Sequence, residues 1–373
     1  MAQTGTVISA GLNLRATPGG AIKKVLSQNS TVEILEDQGE FLKVSAGGDT
    51  GFVKASLIKR NPPPAPPATP SSAGPAATGS FHFVGNKAVA PDGTVFGKKF
   101  KLGIFNVGET SIGQFVKAHP DAFSGLSASR LRVMQAVSAN EGNLEAINTF
   151  DNAFLTFGAF QWTVGTGDGG GELPTLLARL KRKSPETFQN LFGQFGVDIA
   201  SVSNAPGQTP TGFLSLNGTP IKTAADKEKK LRTLERAFQF FRSGQNDTMR
   251  QVEVDHAASR IDLFHRDVSH KIKGRFIGDF VTSEFGVALV LDEHVNRPGH
   301  VPGTLAAAVD QFISSSGKSD PATWTDQDEA KLLETYVQRR NNTNMTDSQK
   351  RADTVRRAVS GGLASDRRGS FQG

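Results

Sequence analysis

Ser138-Ala139-Asn140-Glu141-Gly142-Asn143, followed at a short distance by Gly158-Ala159-Phe160-Gln161-Trp162, decides how this chain is read. Counting back from Glu141 at helical spacing gives Val137, Met134, Val133 and Arg130. The first three are apolar, so the carboxylate continues a stripe that faces an interior. Gly142 is placed as the left-handed stop of that helix. A glutamate in this position is partly desolvated and sits at the negative end of the helix dipole. Both effects disfavour its ionised form and raise its pKa. A carboxyl that keeps its proton near neutral pH is what general acid catalysis of glycoside cleavage requires. The second stretch, rich in glycine and aromatic residues, reads as a hairpin.

Composition narrows the alternatives. A chain of 373 residues with 37% hydrophobic content is long enough for two domains with buried cores. The net charge of +6 suits an anionic partner: a cell-wall polymer, a nucleic acid or a membrane surface. The densest basic cluster, Arg351, Arg356, Arg357, Arg367 and Arg368, reads as a solvated surface. There is no cysteine, which excludes a thiol nucleophile, papain-like wall amidases and endopeptidases, disulfides and thiolate zinc sites. The start, Met1 to Thr6, has neither a basic leader nor an apolar core, and no apolar run reaches membrane-spanning length. The expectation is synthesis in the cytoplasm without membrane insertion, and action at the periplasm or wall only after release or delivery.

Residues 1–60 alternate short apolar segments with turns. Val7-Ile8, Leu12 and Leu14, Val25-Leu26, Val32 to Leu35, Phe41 to Val44 and Gly51 to Val53 are punctuated by Pro18-Gly19-Gly20 and Gly47-Gly48-Asp49. This rhythm predicts a small barrel. Leu12-Asn13-Leu14-Arg15 with Pro18, Val32-Glu33-Ile34-Leu35, Phe41-Leu42-Lys43-Val44 and Gly51-Phe52-Val53 resemble the bacterial SH3 domain. That family usually carries tryptophan where this chain has Phe41 and Phe52. The resemblance implies a module that binds cell-wall peptide, with a general protein-contact module as the alternative. Residues 61–80 hold seven prolines among Ala, Ser, Thr and Gly, a semi-rigid linker. Residues 81–361 form the second domain, with strand-like pieces at Phe81–Val84 and Phe100–Asn106. Helices are expected from Ser127 or Ser129 to Glu141, from Ser184-Pro185, and over about 224–243, 247–270, 280–296, 303–315, 326–340 and 346–359. Residues 362–373 are expected to be a flexible tail.

Many glycosidases pair a protonated carboxyl with an ionised one. Beside Glu141, the neighbourhood offers Glu145, Asp151 and Asp168. Asp151 in Thr149-Phe150-Asp151-Asn152-Ala153 suits a turn overhanging a cleft, or a turn with no chemistry. His256, His265 and His270 are spaced by nine and five, which does not stack metal ligands on one helical face. They read as surface or interface histidines, and neither a metal nor a cofactor is expected. Gly165 to Gly171 lacks the Lys-Ser/Thr of a phosphate loop and reads as a flexible lip of the cleft. No aromatic–basic stripe points to nucleic acid.

Ala139-Asn140-Glu141-Gly142 followed by Phe157-Gly158-Ala159-Phe160-Gln161-Trp162 is similar to the lysozyme-like superfamily, which includes goose-type lysozymes, lytic transglycosylases and chitosanases. The resemblance implies a mainly α, lysozyme-like (α+β) catalytic domain. Glu141 would be its general acid, Phe157 to Trp162 the cleft wall, and Gln161 a substrate contact. The run Ala288 to Gly299 resembles a helix of phage and secretion-associated lysozyme-like proteins and implies that His294 or Asn296 reaches the cleft or packs behind it. The fold class expected is therefore multidomain: an all-β SH3-like barrel, a tether and a lysozyme-like domain. The function implied is cleavage of the β-1,4 glycan of peptidoglycan, by hydrolysis or by anhydro-forming transglycosylation, with Asp151 stabilising the oxocarbenium-like centre or positioning water. A phage holin, or a secretion or injection apparatus such as type VI with its immunity protein, would be the delivery partner. A chitosanase-like enzyme and a non-enzymatic wall-binding or tail-associated structural protein are the alternatives.

Overall fold

The computed structural model describes residues 3–28, 30–46, 49–60, 79–205 and 208–373. The chain divides into two compact units, Met1–Thr78 and Gly79–Gly373. Of the expected linker, residues 61–78 lie outside the described residues.

In the first unit, seven strands form one antiparallel sheet: β1 Gln3–Val7, β2 Gly11–Arg15, β3 Ile22–Ser27, β4 Thr31–Gln38, β5 Phe41–Ala46, β6 Asp49–Lys54 and β7 Ile58–Arg60. Their order is β3-β2-β6-β5-β4-β1-β7. Period-two alternation decides which side chains go inside. In β5, Leu42, Val44 and Ala46 point inward between half-buried Phe41, Lys43 and Ser45. They join Val7, Leu12, Leu14, Leu26, Val32, Ile34, Val53 and Ile58 in a core of the unit's own. Each such Leu, Val or Ile contributes about 1.5–3 kcal/mol by leaving water. The β4–β5 turn is set by Gly39 at φ 79°, whose N–H donates to the Asp37 carboxylate at 2.9 Å.

The second unit is helical around a meandering antiparallel sheet. Its strands are β8 His82–Val84, β9 Lys87–Val89, β10 Val95–Phe100, β11 Gly103–Asn106, β12 Ile147–Asn148, β13 Thr156–Phe157 and β14 Trp162–Thr163, hydrogen-bonded in sequence order. Helices Ile112–Ala118 and Ala128–Ser138 are inserted between β11 and β12, so the Glu141 segment returns the chain from a helix to the sheet. Ser127 caps the second helix by accepting from the Arg130 N–H, and Ser184 caps Pro185–Leu191 in the same way. At the centre lies helix Glu284–Asn296, where Val287 to Leu291 are fully buried. A helix apolar on every side must be a core helix, and its last buried turn carries Asp292, Glu293 and His294. Among the described residues, no helix is long and apolar enough to cross a membrane.

Several expectations need correction. The 224–243 helix breaks into Ala224–Lys230 and Leu234–Ser243, because Thr233 restarts the chain as an N-cap. The helix begun at Asp247 stops at Asp262. Helix Leu173–Lys183 and the hairpin of β15 Val197–Ser203 with β16 Thr211–Leu216 are additions to the sequence reading. Residues 362–373 are not a loose tail. Phe371 is buried and its N–H donates to Thr282 at 3.0 Å, Ser365 accepts from the Phe285 N–H at 3.0 Å, and Arg368 pairs with buried Glu329 at 2.7 Å. The Gly165–Gly171 loop is likewise tied down. Buried Lys227 donates to the carbonyls of Gly165, Gly167 and Gly169, while Asp168 accepts from the Ala224 N–H at 2.7 Å.

Candidate active site

Val133, Met134 and Val137 are fully buried, as the helical stripe requires. The helix, however, ends at Ser138, and Glu141 follows on a tight turn in which Ser138 accepts from the N–H groups of both Glu141 and Gly142. Gly142, at φ 158°, is not a left-handed stop. The turn is fixed against the sheet: the Asn143 N–H donates to the Val107 carbonyl at 3.0 Å, and its side-chain amide donates to the Gly108 carbonyl at 3.1 Å.

The Glu141 side chain is 11% exposed. It accepts from the Asn296 amide at 3.1 Å and is paired with the guanidinium of Arg351. Arg351 is shared with Asp292 at 2.8 Å, and Asp292 is also held by Arg340 at 3.0 Å and by the Asn140 amide at 3.0 Å. Asp292 and Arg340 are wholly buried. Burial pushes the Glu141 carboxyl up, the Arg351 charge and hydrogen bond oppose it, and the Asp292 carboxylate adds to the rise; the balance lies above the ordinary value. Two acids and two arginines therefore alternate, with Glu141 at the outer end of the row.

The other predicted residues divide. Gln161 lies close: a Cβ on Gly142 would stand 3.5 Å from its Nε2. Its side chain turns back into the hairpin, accepting from the Thr156 hydroxyl at 2.8 Å and donating to the Gly158 carbonyl at 3.2 Å. Asn296 touches Glu141 directly. His294 does not. It is buried against the Phe264 ring, Arg260 donates to its carbonyl at 2.8 Å, and burial together with the Arg260 and His270 charges lowers its pKa to about 2. Phe157 and Trp162 are core side chains, 0% and 1% exposed, and form no cleft wall. Large apolar rings on these short strands go inward because the sheet's inner face is the hydrophobic core.

Asp151 forms a local turn. It accepts from the Asn148 amide at 2.8 Å and from the Ala153 N–H at 2.9 Å. Among the described hydrogen bonds, it shares no partner with Glu141. Glu145, the nearest alternative, accepts from the N–H groups of Glu109 and Thr110 at 3.0 and 2.9 Å and pairs with Arg250. Burial alone would raise its pKa, but those donors hold it below the usual carboxylate range. Beneath the 158–162 turn, Glu253 is fully buried, accepts among the described residues only from the Ala159 N–H at 3.2 Å, and is pushed well above the usual range by burial. His256 and His265, read as surface or interface histidines, are buried within the second unit.

The sequence reading missed Arg351, Asp292 and Arg340. Arg351 was grouped with a solvated basic cluster, and Asp292 opens the polar run Asp292-Glu293-His294 that ends an apolar helix. Acids on an otherwise apolar helix were the available signal, since a buried acid needs a buried cation or donor.

Two cavities flank the turn. One, of about 350 Å³, is lined by Ser111, Gln135, Ser138, Asn143, Thr354 and Arg357, among others. The second, of about 280 Å³, is lined by residues of β9–β11 together with Val107 and Gly108. Their linings meet at the Gly108–Asn143 hydrogen bond, two residues from Glu141. The sheet face runs across from there: Phe105 faces Asn148, Asn148 faces Thr156, and Thr156 faces Thr163. No group of three or more His, Asp or Glu side chains placed to hold a metal occurs among the described residues.

Residues 10–59 match the family described as bacterial SH3 domain. No curated protein and no solved structure matches the chain.

Proposed function

We propose that the second unit cleaves a β-1,4-linked glycan of the bacterial cell wall and that the N-terminal unit holds it there. Bacterial SH3 domains commonly bind cell wall, which supports the second half of this reading. The first half is carried by one observation: a carboxyl with raised pKa, nearly closed off from water under Arg351 and Asn296, on a helix-end turn whose Ser138 and Asn143 line a cavity that Glu141 itself does not line. Such a group can deliver a proton to a leaving glycosidic oxygen. Asp292, locked by Arg340, shares the Arg351 charge, and Arg351 orients Glu141. Asn296 fixes the second contact. Phe157, Trp162 and His294 hold the scaffold from within, and Asp151 shapes the loop after β12.

Hydrolysis and anhydro-forming transglycosylation differ in whether water or the sugar's own hydroxyl attacks, and the products report which one operates. The tether between the units raises the enzyme's concentration along the polymer, the usual consequence of linked modules. Incubation of the protein with purified sacculi, read by mass spectrometry of the soluble products, tests the proposal. Release of reducing or anhydro muropeptides is expected. Retention on sacculi with no released fragment would favour the wall-binding structural alternative, and the ion pair that closes over Glu141 is the observation on that side.

A further inference from the structure

We propose that the β9–β11 face beside the Glu141 turn recognises a carboxylate-bearing sugar of the substrate; this rests on the glycan-cleaving reading and specifies its substrate class as an anionic rather than a cationic polymer. Lys98 on β10 stands directly across the ladder from Lys87 on β9, and Phe105 on β11 stands across from Lys98 on the other side. The three side chains therefore share one face. Like charges placed directly opposite each other destabilise a sheet. Both lysines are exposed, and neither ammonium takes part in any of the described hydrogen bonds or ion pairs. The neighbouring lysines are engaged differently: Lys99 lies over the Phe83 ring at 5.3 Å and Lys101 over the Phe100 ring at 5.4 Å. The Lys87–Lys98 pair is left facing the cavity of about 280 Å³.

The rest of the lining suits a sugar. Val95, Phe105 and Val107 supply an apolar floor, with Val95 and Val107 half or more exposed. Such groups lie well against a pyranose ring, while the two ammonium groups take a carboxylate. Glu109 is the acid of the lining, and two lysines against it leave the site net positive. The cavity reaches Val107 and Gly108, which receive the hydrogen bonds of Asn143. The face is thereby joined to the turn that carries Glu141. An alternating glycan whose muramic residues carry a free lactyl carboxylate, as strands stripped of their stem peptides do, fits this arrangement. A glucosamine polymer, cationic along its length, is repelled by it.

The probes are two tetrasaccharides that differ in that carboxylate: peptide-free (GlcNAc–MurNAc)₂ and (GlcNAc)₄. Calorimetry on the full chain carrying Glu141→Gln, which blocks turnover, is expected to show about tenfold tighter binding of the acidic probe at low salt. That preference should shrink as salt screens the charges and vanish in Lys87→Gln/Lys98→Gln, with binding of the neutral probe unchanged. Equal binding of the two probes, binding of neither, or a preference that survives the double substitution overturns the inference. Turnover of sacculi by the unsubstituted protein is scored separately. A charge preference without turnover sinks the cleavage reading alone, and turnover without a preference sinks this one alone.

Discussion

Asp292→Asn is the most informative single change, because it alters charge at constant shape. Asp292 is wholly buried between Arg340, itself wholly buried, and Arg351. The amide can still accept from one guanidinium, but Arg351 then keeps only the Glu141 carboxylate and Arg340 has no anionic partner among the described residues. Arg340 would keep its bonds to the Leu289 carbonyl, the Ser348 hydroxyl and the Ser348 carbonyl, so its hydrogen bonding survives while its charge is stranded. Leaving a buried ion without its partner costs about 3–5 kcal/mol. At roughly 2–4 °C per kcal/mol for a domain of a few hundred residues, the melting temperature of the second unit should fall by on the order of 10 °C. Thermal unfolding followed by circular dichroism reads this directly. Adding Arg340→Met removes the stranded charge and should recover a large part of the loss. The same change withdraws the carboxylate that helps raise the Glu141 pKa, so the alkaline limb of any pH–rate profile should move to lower pH. An Asp292→Asn protein melting within about a degree of the parent would refute the reasoning.

Removal of residues 362–373 should destabilise the second unit rather than leave it indifferent, since Phe371 packs against the His265 ring at 4.9 Å and Arg368 neutralises buried Glu329; an unchanged melting temperature would contradict this. Acid should unfold the unit early. Burial holds His294, His256 and His265 neutral, with pKa values of about 2, 3 and 4. The unfolded chain takes up those protons below about pH 6.5 and the native chain does not, so stability is lost as pH falls through 6.5 towards 4. Each histidine costs about 1.4 kcal/mol per pH unit in that window, and a melting temperature flat between pH 7 and 4.5 would be inconsistent with three neutral buried rings.

Legibility followed the physics of each element. The β5 alternation and the Pro18-Gly19-Gly20 turn, with Gly19 at φ 70°, made the N-terminal strands readable, because period-two burial and positive φ leave direct marks on sequence. The stripe Val133–Met134–Val137 located the buried face of the helix ahead of Glu141. Its end was misplaced by three residues, since a helix and the tight turn that continues it have the same local composition. Asn296 was within reach only through the resemblance of the run Ala288 to Gly299 to a helix of lysozyme-like proteins. The partners Arg351 and Arg340 lie far along the chain from Glu141, and pairing at that separation has no local signature. Phe157 and Trp162 were assigned to a cleft because an aromatic residue on a two-residue strand carries no mark of which face it takes. Helix Leu173–Lys183 was overlooked although Pro174 at its first turn and four buried leucines announced it.

The most direct measurement compares the parent protein with Glu141→Gln on purified sacculi, with the melting temperature and sacculus binding of both recorded alongside. Soluble muropeptides from the parent and none from the variant, at matched folding and binding, is the result expected of a carboxyl that delivers the proton. Equal release from the two proteins, or none from either, would contradict it.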